Sequence, residues 1–271
     1  MGDVIACANQ KGGVGKTTTV VNLAAYLALA GRSVLVVDLD PQGNATSGLG
    51  LDRNSVESSI YPALVDSAVT DRLVQPTQIE ALSVIPSGRD LAGAEVELVG
   101  LAQRERRLEH ALRPIRDEYD YILLDCPPAV GLLTVSALTA ADGVLAPIQC
   151  EYYALEGLSQ LLSTIDLVRD NLSPRLRLAG VLLTMHDART TLSADVAREV
   201  RRHLGDRVFR TVIPRSVRLA EAPSYGRPIA LYSPDSRGAQ AYRALAGELT
   251  ARNERPAPTT IPSDLPEAVS A

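Results

Sequence analysis

A glycine-rich run with two lysines, close to the N-terminus, contains the residue types that bind phosphate groups. It reads Lys11-Gly12-Gly13-Val14-Gly15-Lys16-Thr17-Thr18 and lies between a short apolar run and a helical pattern. In that context glycines let backbone N–H groups surround phosphate oxygens, Lys16 neutralises phosphate charge, and the Thr17 hydroxyl can bind Mg²⁺. The alternative is a glycine turn that only caps a helix. Strand, glycines, lysine and paired threonines together favour a site for ATP and Mg²⁺.

The distribution of lysine supports this interpretation. Of 27 basic residues only Lys11 and Lys16 are lysines, and arginine fills every other basic position. A compact ammonium on a flexible stem fits beside phosphate oxygens where a planar guanidinium fits less well. The alternative is a bias toward arginine that spared two lysines by chance. Their occurrence in one short run favours a chemical constraint on both.

Aspartates follow two further apolar runs. Asp38 and Asp40 come at the end of the second run, and Asp125 ends the run Tyr121–Asp125. The carboxyl ends of parallel strands form the edge at which open α/β sheets bind ligands, and an acid there can hold Mg²⁺ or orient an attacking water. An isolated aspartate before proline is more often a cap or turn former. Two such positions beside a phosphate-binding run favour a catalytic role.

The elements that must position these residues alternate between strands and helices. Apolar runs without polar alternation predict strands covered on both faces, at Val4–Ala8, Ser33–Asp38, Leu82–Pro86, Tyr121–Asp125, Val144–Ile148 and Leu178–Thr184. Helical spacing predicts helices at Thr17–Ala30, Leu101–Ile115, Leu155–Val168, Arg189–Leu204 and Arg237–Arg252. This alternation predicts an α/β fold with a doubly wound, mostly parallel sheet flanked by helices.

Composition predicts one domain over residues 1–252 and a disordered tail over 253–271. The chain has 46% apolar and 22% charged residues, as ordinary globular proteins do. The tail contains four prolines and few large apolar residues. Three cysteines, an odd number, fit buried thiols in a reducing cytoplasm. Without a signal-like N-terminus or an apolar run of about 18 residues, we expect a cytoplasmic protein that does not bind or cross a membrane.

The phosphate loop is one of several segments that carry a family resemblance. KGGVGKTT, VVDLDPQGNATSGLG and ILLDCPP, with the later segments EYYALEGL, VLLTMHDART and VIPRSVRLAEAPSYGRPI, together resemble the ParA/Soj family of partition ATPases. The resemblance covers roughly residues 3–250. The later segments are the specific part, because the phosphate loop alone marks only a wider group that also holds MinD. The resemblance implies a P-loop ATPase of the deviant Walker type that segregates a chromosome or plasmid.

The resemblance further implies a homodimer that sandwiches ATP. In such a dimer Lys16 is the ordinary phosphate-loop lysine, whereas Lys11 matches the signature lysine that reaches the partner's nucleotide. Gly12 lies where the two backbones pass closely. Hydrolysis removes the γ-phosphate and its contacts, so the dimer loosens.

Roles for the aspartates follow from the same resemblance. Asp40 matches the residue that positions the hydrolytic water. Thr17 matches a Mg²⁺ ligand, Asp125 contacts Mg²⁺ through water, and Asp38 supports Mg²⁺ or the neighbouring switch region.

The adenine pocket is assigned less specifically, to the segments Thr184–Met185 and Pro214–Arg215. Ser216 stands where many relatives have asparagine. That edge of the pocket therefore departs from the family pattern.

An excess of arginine between residues 169 and 227 points toward DNA. This part has 12 arginines against six acids, although the whole chain has a net charge of −5. Some of these arginines belong to ordinary solvated helix faces. Helical spacing places Arg202 on a basic face, and the resemblance places Arg189, Arg215 and Arg218 on the DNA-binding surface. It implies salt-sensitive binding to double-stranded DNA without sequence preference, association with the nucleoid, and stimulation by a ParB-like centromere-binding protein.

Three alternatives of related fold remain open. A MinD-like spatial regulator of division would need a basic amphipathic helix near the C-terminus, which the tail lacks. A reductase like the nitrogenase iron protein would need cysteines at that family's cluster positions, and Cys126 and Cys150 do not match them. A metabolic P-loop enzyme would phosphorylate a small carboxylate or amine. ATP turnover stimulated by DNA and a partner protein, rather than by a metabolite, separates partition from the last.

Overall fold

The computed structural model describes residues 2–53, 58–66, 70–151 and 154–253. Its strands are β1 (Asp3–Cys7), β2 (Val34–Asp38), β3 (Gln75–Pro76), β4 (Leu82–Ile85), β5 (Tyr121–Asp125), β6 (Gly143–Gln149), β7 (Arg177–His186) and β8 (Val208–Pro214). They form one sheet in the order β3-β4-β2-β5-β1-β6-β7-β8. Every neighbouring pair is parallel except β3 with β4.

Helices cover both faces of this sheet. They are α1 (Lys16–Leu29), α2 (Asn44–Gly48), α3 (Tyr61–Val65), α4 (Leu91–Val99), α5 (Arg107–Leu112), α6 (Leu132–Ala140), α7 (Ala154–Asn171), α8 (Thr191–Leu204), α9 (Val217–Glu221), α10 (Ile229–Tyr232) and α11 (Arg237–Asn253). Two apolar cores result, one on each face, and β1 contributes to both. Val4 and Ala6 belong to one core, and Ile5 and Cys7 belong to the other.

The register of the central strands brings the predicted functional residues together. In the β1–β5 ladder Cys7 lies opposite Asp125, and in the β2–β5 ladder Asp38 lies opposite Asp125. The phosphate loop leaves β1 directly after Cys7, so the loop and both aspartates emerge at the same edge of the sheet. This is the carboxyl edge at which open parallel sheets bind ligands.

The doubly wound α/β fold predicted from the sequence is confirmed, and the six predicted strands are present with small shifts at their ends. The short edge strand β3 and the strand β8 were not predicted. β8 is partly exposed, at Arg210 for example, and so lacks a continuous apolar run.

One predicted helix, Leu101–Ile115, is wrong in its extent. Gln103 has a φ of 53°, a left-handed conformation that no regular helix contains. A 3₁₀ turn over Arg104–Arg106 follows, and α5 then ends two residues before Pro114, which disfavours helical geometry at the residue before it. The helix predicted from Arg189 begins instead at Thr191, because the Thr190 hydroxyl accepts the Ser193 N–H as an N-cap at 3.4 Å.

The division into one domain and a tail stays a prediction. α11 ends at Asn253, and the tail lies outside the described residues apart from this first position. Within the described ranges, no helix combines the length and the apolar character that crossing a bilayer requires.

Candidate nucleotide site

The phosphate loop has the backbone conformation that its glycines allow. Gly13 and Gly15 have φ values of 74° and 88°, in the left-handed region that favours glycine. Gly15 is also the N-cap of α1, and it supplies no side-chain cap for the first amides of that helix. These amides are therefore oriented to bind an anion at the positive end of the helix dipole.

Lys16 is folded back against its own loop. Its side chain is 7% exposed, and its ammonium donates to the Lys11 carbonyl at 3.2 Å. Asn9 fixes the start of the loop, since its Oδ1 accepts the Lys11 N–H at 2.9 Å and its amide donates to the Pro147 carbonyl at 2.7 Å. The loop is thus tied to the ends of both β1 and β6.

The second lysine of the loop points toward the surface. The Lys11 ammonium forms an ion pair with Glu151 at 3.1 Å, and the two side chains are 40% and 45% exposed. The other carboxylate oxygen of Glu151 accepts a short hydrogen bond from Gln149. Lys11 is therefore paired within its own chain at the surface, whereas Lys16 folds back against the loop.

Asp38 is a buried carboxylate with a full set of hydrogen bonds. Its Oδ2 accepts the Thr46 hydroxyl at 2.7 Å and the Thr46 N–H at 2.8 Å, and its Oδ1 accepts the Asp40 N–H at 3.1 Å. Burial nevertheless raises the pKa of Asp38 to about 6. Desolvation of the charged form outweighs the hydrogen bonds that favour it.

Asp125 is buried without comparable support. It is 0% exposed, and neither carboxylate oxygen has a hydrogen-bond partner of good geometry among the described residues. Burial, followed by the charge of Asp38, raises the pKa of Asp125 well above its ordinary value, and the nearby Thr17 hydroxyl and Lys16 moderate the rise. An unsatisfied buried carboxylate beside other acids fits a site that a divalent cation completes.

Asp40 lies in the tight turn that follows β2. It is 8% exposed, and its Oδ1 accepts the Gln42 N–H at 3.0 Å. The Gly43 N–H donates to the Asp40 carbonyl at 2.9 Å and closes the turn. The turn therefore holds the Asp40 carboxylate close enough to the buried Asp125 for its charge to act on that group.

The two segments predicted to contact adenine meet at the carboxyl end of β7. Pro214 lies opposite His186, and the Arg215 N–H donates to the His186 carbonyl at 3.1 Å. Met185 has a φ of 50°, a strained conformation for a side chain of this size. Thr184 instead supports the phosphate loop, because its hydroxyl contacts the Val14 carbonyl at 2.8 Å. Adenine binding here stays a prediction.

Each of three predicted DNA-binding arginines lies against a nearby acid. Arg189 pairs with Asp187, Arg202 with Glu199, and Arg218 with Glu221. The three arginine side chains are 87%, 68% and 61% exposed, respectively. Arg215 is also exposed, and its charge adds to that of Arg189 in lowering the pKa of Asp187. Their role in DNA binding stays a prediction.

Sequence reasoning missed Asn9, Thr46 and Glu151. Thr46 lies within VVDLDPQGNATSGLG and Glu151 begins EYYALEGL, so both segments were noted without a role for these side chains. Asn9 lies two residues before Lys11, an Asx-turn spacing that the sequence does reveal, whereas the contacts of Thr46 and Glu151 have no such local pattern. Only the sheet brings Glu151 and Lys11 together.

Several known proteins resemble this chain over most of its length. The family model described as an AAA domain matches residues 2–178. The sporulation initiation inhibitor protein Soj of Bacillus subtilis is 58% identical over 251 residues, which are 93% of this chain and 99% of that protein. The chromosome partitioning protein ParA of Myxococcus xanthus is 54% identical over 258 residues, 95% of this chain and 91% of that protein. The chain belongs to the ParA/Soj family.

Solved structures place the ParA/Soj fold in a wider group. A crystal structure named cobyrinic acid a,c-diamide synthase, from Mycobacterium smegmatis with ADP and magnesium, has a TM-score of 0.83 and 39% identity, with coverage of 97% of this chain and 100% of that one. The cell division ATPase MinD of Pyrococcus furiosus has a TM-score of 0.78 and 27% identity, covering 93% and 99%.

The cysteines of this ParA/Soj chain do not resemble cluster ligands. Cys7, Cys126 and Cys150 are all buried, and burial raises the pKa of each thiol. None of them is presented at the surface for sharing with a second copy, as a cluster between two protomers requires.

Proposed function

We propose that this protein is a Mg²⁺-dependent ATPase of DNA partition, in which ATP binding joins two copies and hydrolysis separates them. The observation that carries the proposal is the meeting of the phosphate loop with Asp38, Asp40 and Asp125 at one edge of the sheet. The 58% identity to a Soj protein supports partition as the process. We place the protein in the cytoplasm, associated with the nucleoid.

The chain's own residues divide the chemistry among them. The loop amides and Lys16 hold the phosphates, and this fixed positioning is the main source of catalysis in phosphoryl transfer. Asp40 orients the attacking water. Thr17, Asp38 and Asp125 would hold Mg²⁺, which neutralises charge on the phosphates when it is bound.

Dimerisation would let Lys11 contact the nucleotide of the second copy. Its ammonium lies at the surface, outside its own phosphate cradle, and pairs with Glu151. A second copy that approaches this face offers the lysine a nucleotide phosphate instead of a carboxylate. One catalytic charge would then arrive only on dimerisation, which makes turnover slow and open to regulation.

A substitution at Gly12 tests the dimer directly. A Cβ atom built at Gly12 meets only Pro128, at 4.0 Å, which is ordinary contact. Gly12→Val should therefore leave the folded monomer and its ATP binding intact, while the side chain collides with a facing copy. Light scattering with ATP should show a monomer, and the control Gly247→Val, at an open site on α11, should still dimerise. A stable ATP dimer of Gly12→Val would refute the sandwich arrangement.

DNA binding and partner stimulation complete the proposal. Exposed arginines would contact DNA phosphates, so binding should be independent of sequence and should weaken steeply with salt. Two copies double the arginines on one face, so the ATP dimer should bind best. A ParB-like centromere-binding protein would stimulate hydrolysis. Equal mobility shifts of DNA in ATP and ADP would contradict this part.

A second candidate is a metabolic synthetase. It is favoured by the name of the 39% identical Mycobacterium smegmatis structure, a cobyrinic acid diamide synthase. Such an enzyme would hydrolyse ATP in response to cobyrinic acid and an amide nitrogen donor. Turnover that responds to these metabolites, and not to DNA with a partner protein, would favour this candidate.

A further inference from the structure

Strands β7 and β8 are paired with an irregular register. From Val181 to Leu183 β7 advances two residues, whereas β8 advances four, from Val208 to Val212. β8 therefore has a bulge between Val208 and Val212, called the β8 bulge below. Bulges bend a strand and redirect the residues that follow, and they are frequent beside active sites. The residues that follow this bulge lead to Pro214, at the carboxyl end of β8.

Glu248 on α11 holds the β8 bulge. Its two carboxylate oxygens accept the N–H groups of Arg210 and Thr211 at 2.8 and 2.9 Å, respectively. Successive residues of a regular strand point in opposite directions, so two neighbouring N–H groups that meet one carboxylate require a bulged backbone. Arg252 donates to the Glu248 carboxylate at 2.9 Å and to the Val208 carbonyl at 2.8 Å. α11 thus contacts the bulge through a carboxylate and a guanidinium.

The charged form of Glu248 is the form that this contact stabilises. Its side chain is only 17% exposed. Burial raises the pKa of Glu248, but hydrogen bonds from Thr211, Arg210 and Arg252 outweigh burial and hold the pKa below its ordinary value. β8 is the last strand of the described sheet, so its outer side depends on side-chain contacts such as these.

The carboxyl ends of β7 and β8 lie on the opposite side of the phosphate loop from the acids. In the sheet, β5 and β2, which carry Asp125 and Asp38, are on one side of β1, and β6, β7 and β8 are on the other. Thr184, near the end of β7, donates to the Val14 carbonyl of the loop at 2.8 Å. A nucleotide whose terminal phosphates face the acids extends its nucleoside in the other direction, toward β7 and β8.

α11 also contacts the helix that follows the phosphate loop. The hydroxyls of Tyr242 on α11 and Thr19 on α1 are hydrogen-bonded at 3.2 Å, and both residues are buried. α1 begins at Lys16, within the phosphate loop. One helix therefore joins the phosphate cradle to the β8 bulge and fixes the position of each relative to the other.

We propose that Glu248 is a positioning residue for nucleotide binding, which holds the end of β8, with Pro214 and Arg215, in contact with the nucleoside half of ATP. Glu248 acts through the strand and not by touching the nucleotide. The inference rests on the proposed function, because it requires that the chain binds ATP. Loss of the carboxylate should weaken the contribution of the nucleoside and leave that of the phosphates unchanged.

The test compares ATP with inorganic triphosphate, which has the phosphates alone. Competition against a fluorescent ATP analogue measures both affinities for the full chain with Mg²⁺. Glu248→Gln keeps the size of the side chain and replaces one accepting oxygen by a donor. Loss of a charged hydrogen bond corresponds to a factor of about ten or more, so we expect ATP to bind about tenfold more weakly and triphosphate to change less than about twofold.

A second variant changes the other side chain that contacts the bulge. Arg252→Lys keeps the charge and loses the planar guanidinium that reaches both Glu248 and the Val208 carbonyl. It should weaken ATP binding by a smaller factor, again without an effect on triphosphate. If Glu248→Gln does not fold, as judged by a thermal melt, Arg252→Lys decides by the same comparison.

Asp142→Asn is the matched control, because Asp142 resembles Glu248 in burial and in bonding. Its side chain is 18% exposed, and it accepts the Val4 N–H at 2.8 Å while it pairs with Arg116. It lies directly before β6, at the amino edge of the sheet. Its loss should therefore lower the melting temperature without changing the affinity for either ligand.

Several results would overturn the role of Glu248. They are an unchanged affinity for ATP in Glu248→Gln, an equal loss for ATP and triphosphate, and the same selective loss in Asp142→Asn. Wild-type protein that binds triphosphate as tightly as ATP would also overturn it, because the nucleoside would then contribute nothing. Wild-type protein that binds neither ligand would instead refute the proposed function.

Discussion

Asp125 is fully buried and has no well-formed hydrogen bond among the described residues, whereas Arg189 is 87% exposed and holds Asp187 at 2.7 Å. The same contrast in burial separates the acid cluster at the carboxyl edge of the sheet from the arginine-rich outer surface. The acids at the carboxyl edge of the sheet crowd together with Lys16 as a nearby cation. The arginines of the outer surface lie in solvent, three of them paired with an acid close in sequence.

Burial explains why these regions should respond differently to change. Charges in a buried site interact strongly and have few alternatives, so one substitution alters the whole arrangement. An exposed ion pair is worth only about 0–1 kcal/mol and exchanges readily with other partners. A single substitution among the coupled acids should therefore have a large effect, whereas the arginines should act through their summed charge.

Asp40→Asn should give the largest effect. It keeps the shape of the side chain and removes the charge that orients water, so ATP hydrolysis should fall roughly 10²- to 10⁴-fold, as losses of positioned acid–base groups do. ATP should still bind and the dimer should accumulate. Phosphate release measures the rate. Asp195→Asn, on the arginine-rich surface, is the control, and a similar loss there would break the comparison.

Arg218→Glu tests the outer surface. Removing one phosphate contact lowers the slope of log affinity against log salt by about one, so the slope for a dimer should decrease by about two. Near 0.1 M salt this corresponds to roughly 10- to 100-fold weaker DNA binding in a mobility shift. Arg189→Glu should have a smaller effect, because Arg189 already donates two side-chain hydrogen bonds to Asp187, whereas Arg218 contacts Glu221 through one. Unchanged salt dependence in both variants would remove these arginines from the DNA surface.

Glu151→Gln sharpens the comparison at a position between the two regions, where Lys11, which we propose acts across the dimer, forms an exposed ion pair with Glu151. Such a pair is worth roughly 0.2–1 kcal/mol, and one is broken in each copy. The dissociation constant of the ATP dimer should therefore fall roughly 2- to 30-fold in sedimentation measurements. Glu156→Gln, an exposed acid on α7, should change nothing. A weaker dimer in Glu151→Gln would mean that Glu151 serves the dimer itself.

The acid cluster should also make Mg²⁺ binding depend on pH. The pKa of Asp38 is raised to about 6, so this carboxyl is charged above that pH and protonated below it. The proton competes with the metal, and the affinity for Mg²⁺ with ADP should be about tenfold weaker at pH 5 than at pH 7.

Without metal, the stability of the fold should change with pH in the opposite direction to the Mg²⁺ affinity. A raised carboxyl pKa penalises the fold above pH 6, and this penalty is lost as pH falls from 6 toward 4. Thermal melts with and without Mg²⁺ at several pH values measure both effects. Asp38→Asn should remove the step near pH 6, and a step that persists would assign it to another group.

The sequence predicted those parts of the site that local chemistry or strand ends determine. Glycines and Lys16 mark the phosphate loop within a few residues, and Asp38 and Asp125 follow from their positions after apolar runs. The residues that support them were not predictable in this way. Glu151 reaches Lys11 only because β6 ends beside β1, and Thr46 reaches Asp38 through the turn after β2.

The arginine-rich surface shows a different limit of prediction from sequence. The excess of arginine over acids is visible as a count, but a count does not show which arginines are paired. The pairs of Arg202 with Glu199 and Arg218 with Glu221 are three residues apart on helices, a spacing that the sequence does reveal. The break at Gln103 could not be found, because a left-handed residue other than glycine has no reliable sequence signal.

The place of β1 in the sheet has a consequence for how the protein is made. β1 is the first strand of the chain, yet its two neighbours, β5 and β6, begin only at Tyr121 and Gly143. At roughly 5–20 residues per second, a ribosome needs about 6–30 s after β1 to deliver them. During that interval the apolar strand has no sheet to join. The nucleotide site is therefore among the first segments synthesised and among the last to take shape, and nascent chains that have not reached Gly143 should need chaperones and should not bind ATP.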